Sequence, residues 1–159
     1  MIQKHIRLGS FELKSGRFSD KYFDIKTPFC NGSFAFYVAK SIELSDDIKY
    51  IGGEEYGAIP FAVALSVTHN YLPYFVIRKM TKTHGLGGKV VSYRNPMVGK
   101  CCILDDVITT GTSVDNCIDV LKDEGHKLKV DSIICIVDRT QGEYKKYPIH
   151  SFFKEEDFG

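Results

Sequence analysis

Apolar positions along the chain switch between the two-residue period of a strand and the period of about 3.6 of a helix. Residues 22–26 read as extended and 33–45 as helical. Residues 49–53 read as a strand leading into a helix from 58 to about 69, with Pro60 near its first turn, where a missing N–H costs little. Residues 72–79, 100–105 and 131–138 are rich in valine, isoleucine and aromatics and read as further strands. Beyond residue 113, Val114, Cys117, Ile118 and Leu121 share one helical face. Thr112 with Asp115 reads as a capping box for that helix and Gly125 as its C-cap. Strands separated by helices predict an α/β fold, a mainly parallel sheet flanked by helices. In such sheets ligands bind beyond the carboxyl ends of the strands.

The densest chemistry falls at one of those ends. Ile103 and Leu104 deliver Asp105 and Asp106, and a turn of small donors follows: Thr109, Thr110, Gly111, Thr112 and Ser113. Backbone N–H groups of such a turn and of the helix after it converge on one spot, where the helix dipole favours an anion. The two acids repel phosphate but suit sugar hydroxyls or a hydrated Mg²⁺. Together they imply a sugar phosphate. Neither G-x-x-x-x-G-K-[ST] nor G-x-G-x-x-G occurs here, so this is not one of the familiar nucleotide loops.

Four further stretches bear on chemistry. Arg78, Lys79, Lys82 and His84 run into Gly85, Gly87 and Gly88, which is too basic to bury and reads either as a solvated loop or as a mobile cationic lid. Residues 51–60, IGGEEYGAIP, make a glycine-rich strand-to-helix turn, with Gly53 and Gly57 open to an approaching anion. Arg139 follows a buried strand and can clamp a carboxylate bidentately. Lys14, in LKSGR, precedes the aromatic pair Tyr22 and Phe23.

Composition narrows the partners. The chain has 159 residues, 43% of them hydrophobic, and a formal net charge of +1. That length suits a single domain over 1–159, and the near-neutral charge gives no support for nucleic-acid binding. No apolar stretch is long enough for a membrane span, and MIQKHIRLGS lacks the apolar centre of a signal peptide. The five cysteines have no metal-ligand spacing, and those in apolar strands read as small hydrophobes in a reducing, cytoplasmic compartment.

The segment LDDVITTGTS resembles the PRPP-binding signature of the type I phosphoribosyltransferases. The order LKSGR, SDKYFD, GGEEYGAIP, RK-x-x-K-x-HG-x-GG, LDDVITTGTS, VDR resembles the orotate phosphoribosyltransferase family from about Phe11 to Arg139, in a short version. The chain begins close to LKSGR, without the N-terminal helix usual there, and 141–159 stand where the family has a longer C-terminal portion. Residues 27–31 are atypical, and Gly57 stands where one branch of the family carries a lysine, so no lysine role is carried over.

The resemblance implies the type I phosphoribosyltransferase fold with a small N-terminal hood over about residues 1–30. It also implies transfer of phosphoribosyl from PRPP to orotate in UMP biosynthesis. By the same resemblance Arg78, Lys79, Lys82 and His84 contact the pyrophosphate, with Lys82 and His84 reaching across a homodimer interface. Asp105 and Asp106 hold the ribose hydroxyls, directly or near a Mg²⁺ that arrives with PRPP. Thr109, Thr110, Gly111, Thr112 and Ser113 wrap the 5-phosphate, and Val107, Ile108 and Lys14 join the PRPP-binding set. Thr109, Arg139, Tyr22 and Phe23 meet orotate, and Lys82, His84, Asp105 and Asp106 carry catalysis. A phosphoribosyltransferase for another base and a non-catalytic PRPP-sensing regulator are the alternatives.

Overall fold

The computed structural model describes residues 2–12, 16, 18–81 and 87–158. A 3-10 turn, Ile2–His5, leads into the hairpin β1 (Ile6–Glu12) and β2 (Phe18–Phe23), which pair antiparallel as a separate two-stranded sheet. Two helices follow, α1 (Lys26–Phe29) and α2 (Gly32–Lys40). The extended stretch expected over 22–26 thus lies earlier, and the helix expected over 33–45 stops at Lys40. Asn31 caps α2 by accepting from the Ser33 and Phe34 amides at 3.0 and 3.3 Å.

The main sheet contains β3 (Ile48–Glu54), β4 (Tyr74–Ile77), β5 (Val90–Ser92), β6 (Val98–Ile108), β7 (Lys127–Asp138) and β8 (Ile149–Lys154). Its order is β5-β4-β3-β6-β7-β8, parallel throughout except for the β4–β5 pair. Two further helices, α3 (Ala58–Thr68) and α4 (Thr112–Asp123), follow β3 and β6. The hairpin strand β1, the edge strand β5 and β8 have no counterpart among the sequence expectations. Each is short or mixed in polarity, so period alone does not mark it.

Helices on the two faces divide the core. Ile51, Leu104, Ile134 and Ile136 pack with Phe29, Phe61 and Leu65 on one side. Ile103, Ile133 and Cys135 pack with Val114, Ile118 and Leu121 on the other. This explains the near-continuous apolar runs of β6 and β7, which are covered twice. Cys101, Cys102, Cys117 and Cys135 are buried and free. Burial pushes the Cys101 and Cys117 thiols up to about 12, so they behave as inert packing groups. Among the described residues no helix is long and apolar enough to cross a membrane.

The expected C-cap holds, since Gly125 has φ +80° and the His126 amide reaches back to the Leu121 carbonyl at 2.9 Å. The expected capping box does not. The N-cap of α4 is Gly111, which is left-handed and carries no side chain, and Asp115 instead accepts from the Tyr144 hydroxyl at 3.1 Å and from Lys146.

Candidate active site

The carboxyl ends of β3, β4, β6, β7 and β8 lie along one edge of the sheet, and every described candidate side chain of the main sheet emerges there. Because β6 runs to Ile108, Asp105 and Asp106 are still strand residues, and strand alternation sends them to opposite faces. Asp105 faces α4 and accepts from the Ser113 hydroxyl at 2.6 Å. Asp106 lies toward α1, with the Lys26 ammonium 3.8 Å from its Oδ2. Burial and the neighbouring Asp106 charge push the Asp105 carboxyl up to about 7, against the pull of Ser113. Asp105 therefore holds a proton over part of the population near neutrality.

The turn after β6 is shaped by Gly111. Its φ of +79° suits glycine, and an added Cβ would sit 2.2 Å from the Tyr144 ring. Gly111, the N-cap of α4, has no side chain to offer, and the first helical amide, Thr112, has only a long 3.5 Å contact to the Thr110 hydroxyl. Thr110 and Thr112 hydroxyls pair with each other at 2.8 Å beside it. An uncapped first turn next to hydroxyls is an anion cradle in composition and in direction of dipole. Val107 and Ile108 turn their side chains to the core, since Ile108 is buried and Val107 packs on it, and leave only backbone to face a ligand.

The glycine-rich turn after β3 has a different purpose from the one its sequence suggests. A Cβ on Gly53 would fall 2.1 Å from the Leu104 carbonyl, so this glycine permits close strand packing rather than an anion's approach. A Cβ on Gly57 would fall 2.7 Å from the Asp106 carboxyl carbon. Gly57 is what allows Asp106 its position.

The basic stretch leaves β4 and returns to β5. Its two roots are joined by the Arg78 amide donating to the Lys89 carbonyl at 2.9 Å. Two carboxylates pin the roots further. Glu55 accepts from the Lys79 amide at 2.9 Å, and Glu124 accepts from the Lys89 and Val90 amides at 2.5 and 3.2 Å. Lys82 and His84 lie outside the described residues, as does Lys14.

Arg139 follows β7 and is nearly buried. Its guanidinium stacks 4.7 Å above the Phe23 ring, and its Nη2 donates to the Ser19 hydroxyl at 2.8 Å. Its Nε and Nη2 also donate to Glu155 Oε1 at 3.0 and 2.5 Å. A cleft of about 400 Å³ opens beside it, lined by Phe18, Ser19, Thr109 and Glu155 among others. Phe23 is a core residue beneath Arg139, and Tyr22 points to the opposite face of the hairpin against Phe11, with ring centroids 5.5 Å apart. Neither ring lines the cleft. On β2 that place falls to the start of the strand, Phe18, Ser19 and Asp20.

Sequence reasoning missed Lys26, Ser19 and Glu155. Lys26 sits where the chain was read as extended, and Glu155 belongs to an acidic tail with no motif. Gly57, which stands where one branch of the resembling family carries a lysine, was the sign in the sequence nearest to Asp106.

Two carboxylates suit a hydrated Mg²⁺ completed by substrate phosphates. Among the described residues no group of three or more His, Cys, Asp or Glu could hold a metal alone. The donor set therefore fits a metal that arrives with a phosphorylated ligand.

The phosphoribosyl transferase domain family matches residues 41–158. The orotate phosphoribosyltransferase of Pyrococcus horikoshii is 36% identical over 157 residues, covering 91% of this chain and 82% of that protein. The crystal structure of orotate phosphoribosyltransferase from Aeropyrum pernix superposes with a TM-score of 0.75 at 25% identity, covering 98% of this chain and 91% of that one. The Mycobacterium tuberculosis orotate phosphoribosyltransferase solved in complex with PRPP shares the fold, with a TM-score of 0.73 at 20% identity, covering 99% and 94%.

Proposed function

The chain belongs to the orotate phosphoribosyltransferase family, and from that premise we propose how its own residues divide the reaction. The enzyme transfers the phosphoribosyl group of PRPP to orotate, giving orotidine 5'-monophosphate and pyrophosphate for pyrimidine biosynthesis. One observation carries the assignment of roles: the acid pair and uncapped turn after β6 share a sheet edge with Arg139 after β7.

The turn of Thr109, Thr110, Gly111, Thr112 and Ser113 takes the 5-phosphate on backbone N–H groups and hydroxyls. Asp105 and Asp106 hold the ribose hydroxyls and would hold Mg²⁺, which supplies charge neutralisation on the diphosphate when bound. Asp105 would surrender its proton on meeting Mg²⁺, the one positive charge the ligand brings. Lys26, beside Asp106, extends a cation toward the same diphosphate from α1. Arg78, Lys79, Lys82 and His84 add positive charge as pyrophosphate departs from C1, and Lys14 joins them from the hood. The ring nitrogen of orotate attacks the oxocarbenium-like carbon from the opposite face, with Thr109 at the ring and Arg139 on the carboxylate. No covalent nucleophile enters this scheme. Cation placement and exclusion of water supply the rate.

The same proposal includes a cytoplasmic homodimer. Val63 and Val67, one turn apart on α3, and Tyr71, Tyr74 and Tyr93 leave apolar surface exposed near the β4–β5 edge, which suits a partner copy bringing Lys82 and His84 across. The test is pyrophosphate release from PRPP and Mg²⁺ with orotate, uracil, hypoxanthine and adenine in parallel. Release with orotate alone is expected. Release with none of the four, or with a purine only, overturns the reading.

A further inference from the structure

The strand register brings together two residues that no motif connects. β8 runs parallel to β7 with Asp138 opposite Lys154, so the next residues of each strand, Arg139 and Glu155, leave the sheet edge side by side. There the Glu155 carboxylate takes the Nε and Nη2 edge of the guanidinium. That edge is one of the two a planar carboxylate can grip bidentately, and the other, Nη1 with Nη2, is interrupted by Ser19. Phe23 covers the guanidinium's flat face, and Ser19 takes the second Nη2 proton. Nη1 has no hydrogen-bond partner among the described residues.

We propose that Glu155 is a positioning residue that locks Arg139 so that only its Nη1 end is presented to the acceptor's carboxylate. The inference rests on the reading of Arg139 as the acceptor-carboxylate residue. Glu155 is not placed to swing away as a gate. It begins the 3-10 turn Glu155–Phe158, which is fastened to the hood and core at several points. The Lys154 amide donates to Asp157 Oδ2 at 2.7 Å, and the Phe158 ring packs on Phe23 and Phe153 with centroids 5.3 and 5.4 Å apart. The Arg139 side chain is 7% exposed and that of Glu155 24%, so the pair is held in a partly dry setting where its geometry persists. An arginine so buried needs a fixed counter-ion when the cleft is empty, and Glu155 supplies it.

Acceptor selection then depends on the C-terminal turn. A guanidinium free to rotate would accept a carboxylate in several poses. A guanidinium held at one edge accepts it in one, which fixes the reacting ring nitrogen against C1.

Three variants in steady-state assays test this. Glu155→Ala should raise the KM for orotate by about tenfold, the scale of one charge-assisted hydrogen bond, with the KM for PRPP unchanged. Glu155→Gln, whose amide oxygen accepts the same two bonds, should stay within about threefold of the parent. Thermal unfolding of each variant reports folding separately, and Ser19→Ala, which removes the other hold on Nη2, should shift the orotate KM in the same direction. Parent-like orotate KM in Glu155→Ala, or tighter orotate binding in both Glu155 variants, overturns the positioning role. Arg139→Gln tells this apart from failure of the underlying reading: if that variant keeps the parent's orotate KM, Arg139 is not the carboxylate residue at all.

Discussion

The Ser113 hydroxyl donates to Asp105 at 2.6 Å across the gap between the end of β6 and the first turn of α4. That bond ties the acid proposed to hold the sugar to the turn proposed to hold the phosphate, and it only partly offsets burial and Asp106, which push the Asp105 carboxyl up to about 7 against 3.8 for a free carboxyl. The folded state therefore binds this proton more tightly than the unfolded chain. Its contribution to stability is present in full below about pH 4 and is lost as pH rises to about 7.

Binding has the opposite sign. PRPP with Mg²⁺ needs the ionised pair, so affinity should rise with pH through about 7 and binding near pH 6 should release a proton. Calorimetry in two buffers of different ionisation enthalpy measures that release. Asp105→Asn should abolish it and flatten the free protein's stability between pH 5 and 8, a change of about 3 kcal/mol. Proton release that persists in Asp105→Asn assigns the titration elsewhere.

Gly57→Ala should lower kcat/KM for PRPP by about 10–100-fold, because the new methyl would occupy the place of the Asp106 carboxyl, and small displacements of a reacting constellation are costly. Asp106 can rotate toward solvent, so the melting temperature should fall by only a few degrees. A parent-like kcat/KM would mean that Asp106 does not need its present position.

Lys26→Met should raise the KM for PRPP about tenfold while leaving stability nearly unchanged. The ion pair with Asp106 is long and its lysine 44% exposed, so the pair itself contributes little to folding. Loss of stability without loss of PRPP binding would reassign Lys26 to a structural role.

Lys82→Ala should cost about 10²–10³ in turnover, the usual effect of removing one preorganised charge from a transition state, with no change in the melting curve. Normal turnover in this variant sinks the lid assignment.

The segments legible in the sequence were those whose chemistry is local. LDDVITTGTS carries its strand end, acids, turn and helix start within consecutive residues, and β6 with α4 folds as that order requires. The apolar runs of β3, β6 and β7 announced a sheet covered on both faces. Errors appeared where neighbours in space decide the outcome. Thr112 and Asp115 have capping-box spacing, yet the Tyr144 hydroxyl and Lys146, from 29 and 31 residues away, claim Asp115. Tyr22 and Phe23 look like a platform for a base, but strand pleat and the Phe158 ring put one outside and the other in the core.

By itself the sequence determined the donor substrate, because a phosphate cradle is a backbone feature that small residues in a row are sufficient to specify. The tertiary structure decided how Arg139, the residue proposed to meet the acceptor, is held. Arg139, Glu155, Ser19 and Phe23 come from three strand ends and a terminal turn, and only the β7–β8 register and the packing of the hood turn one arginine into a directed contact. Lys26 and Gly57 meet Asp106 in the same way, through distances in space that the order of residues does not encode.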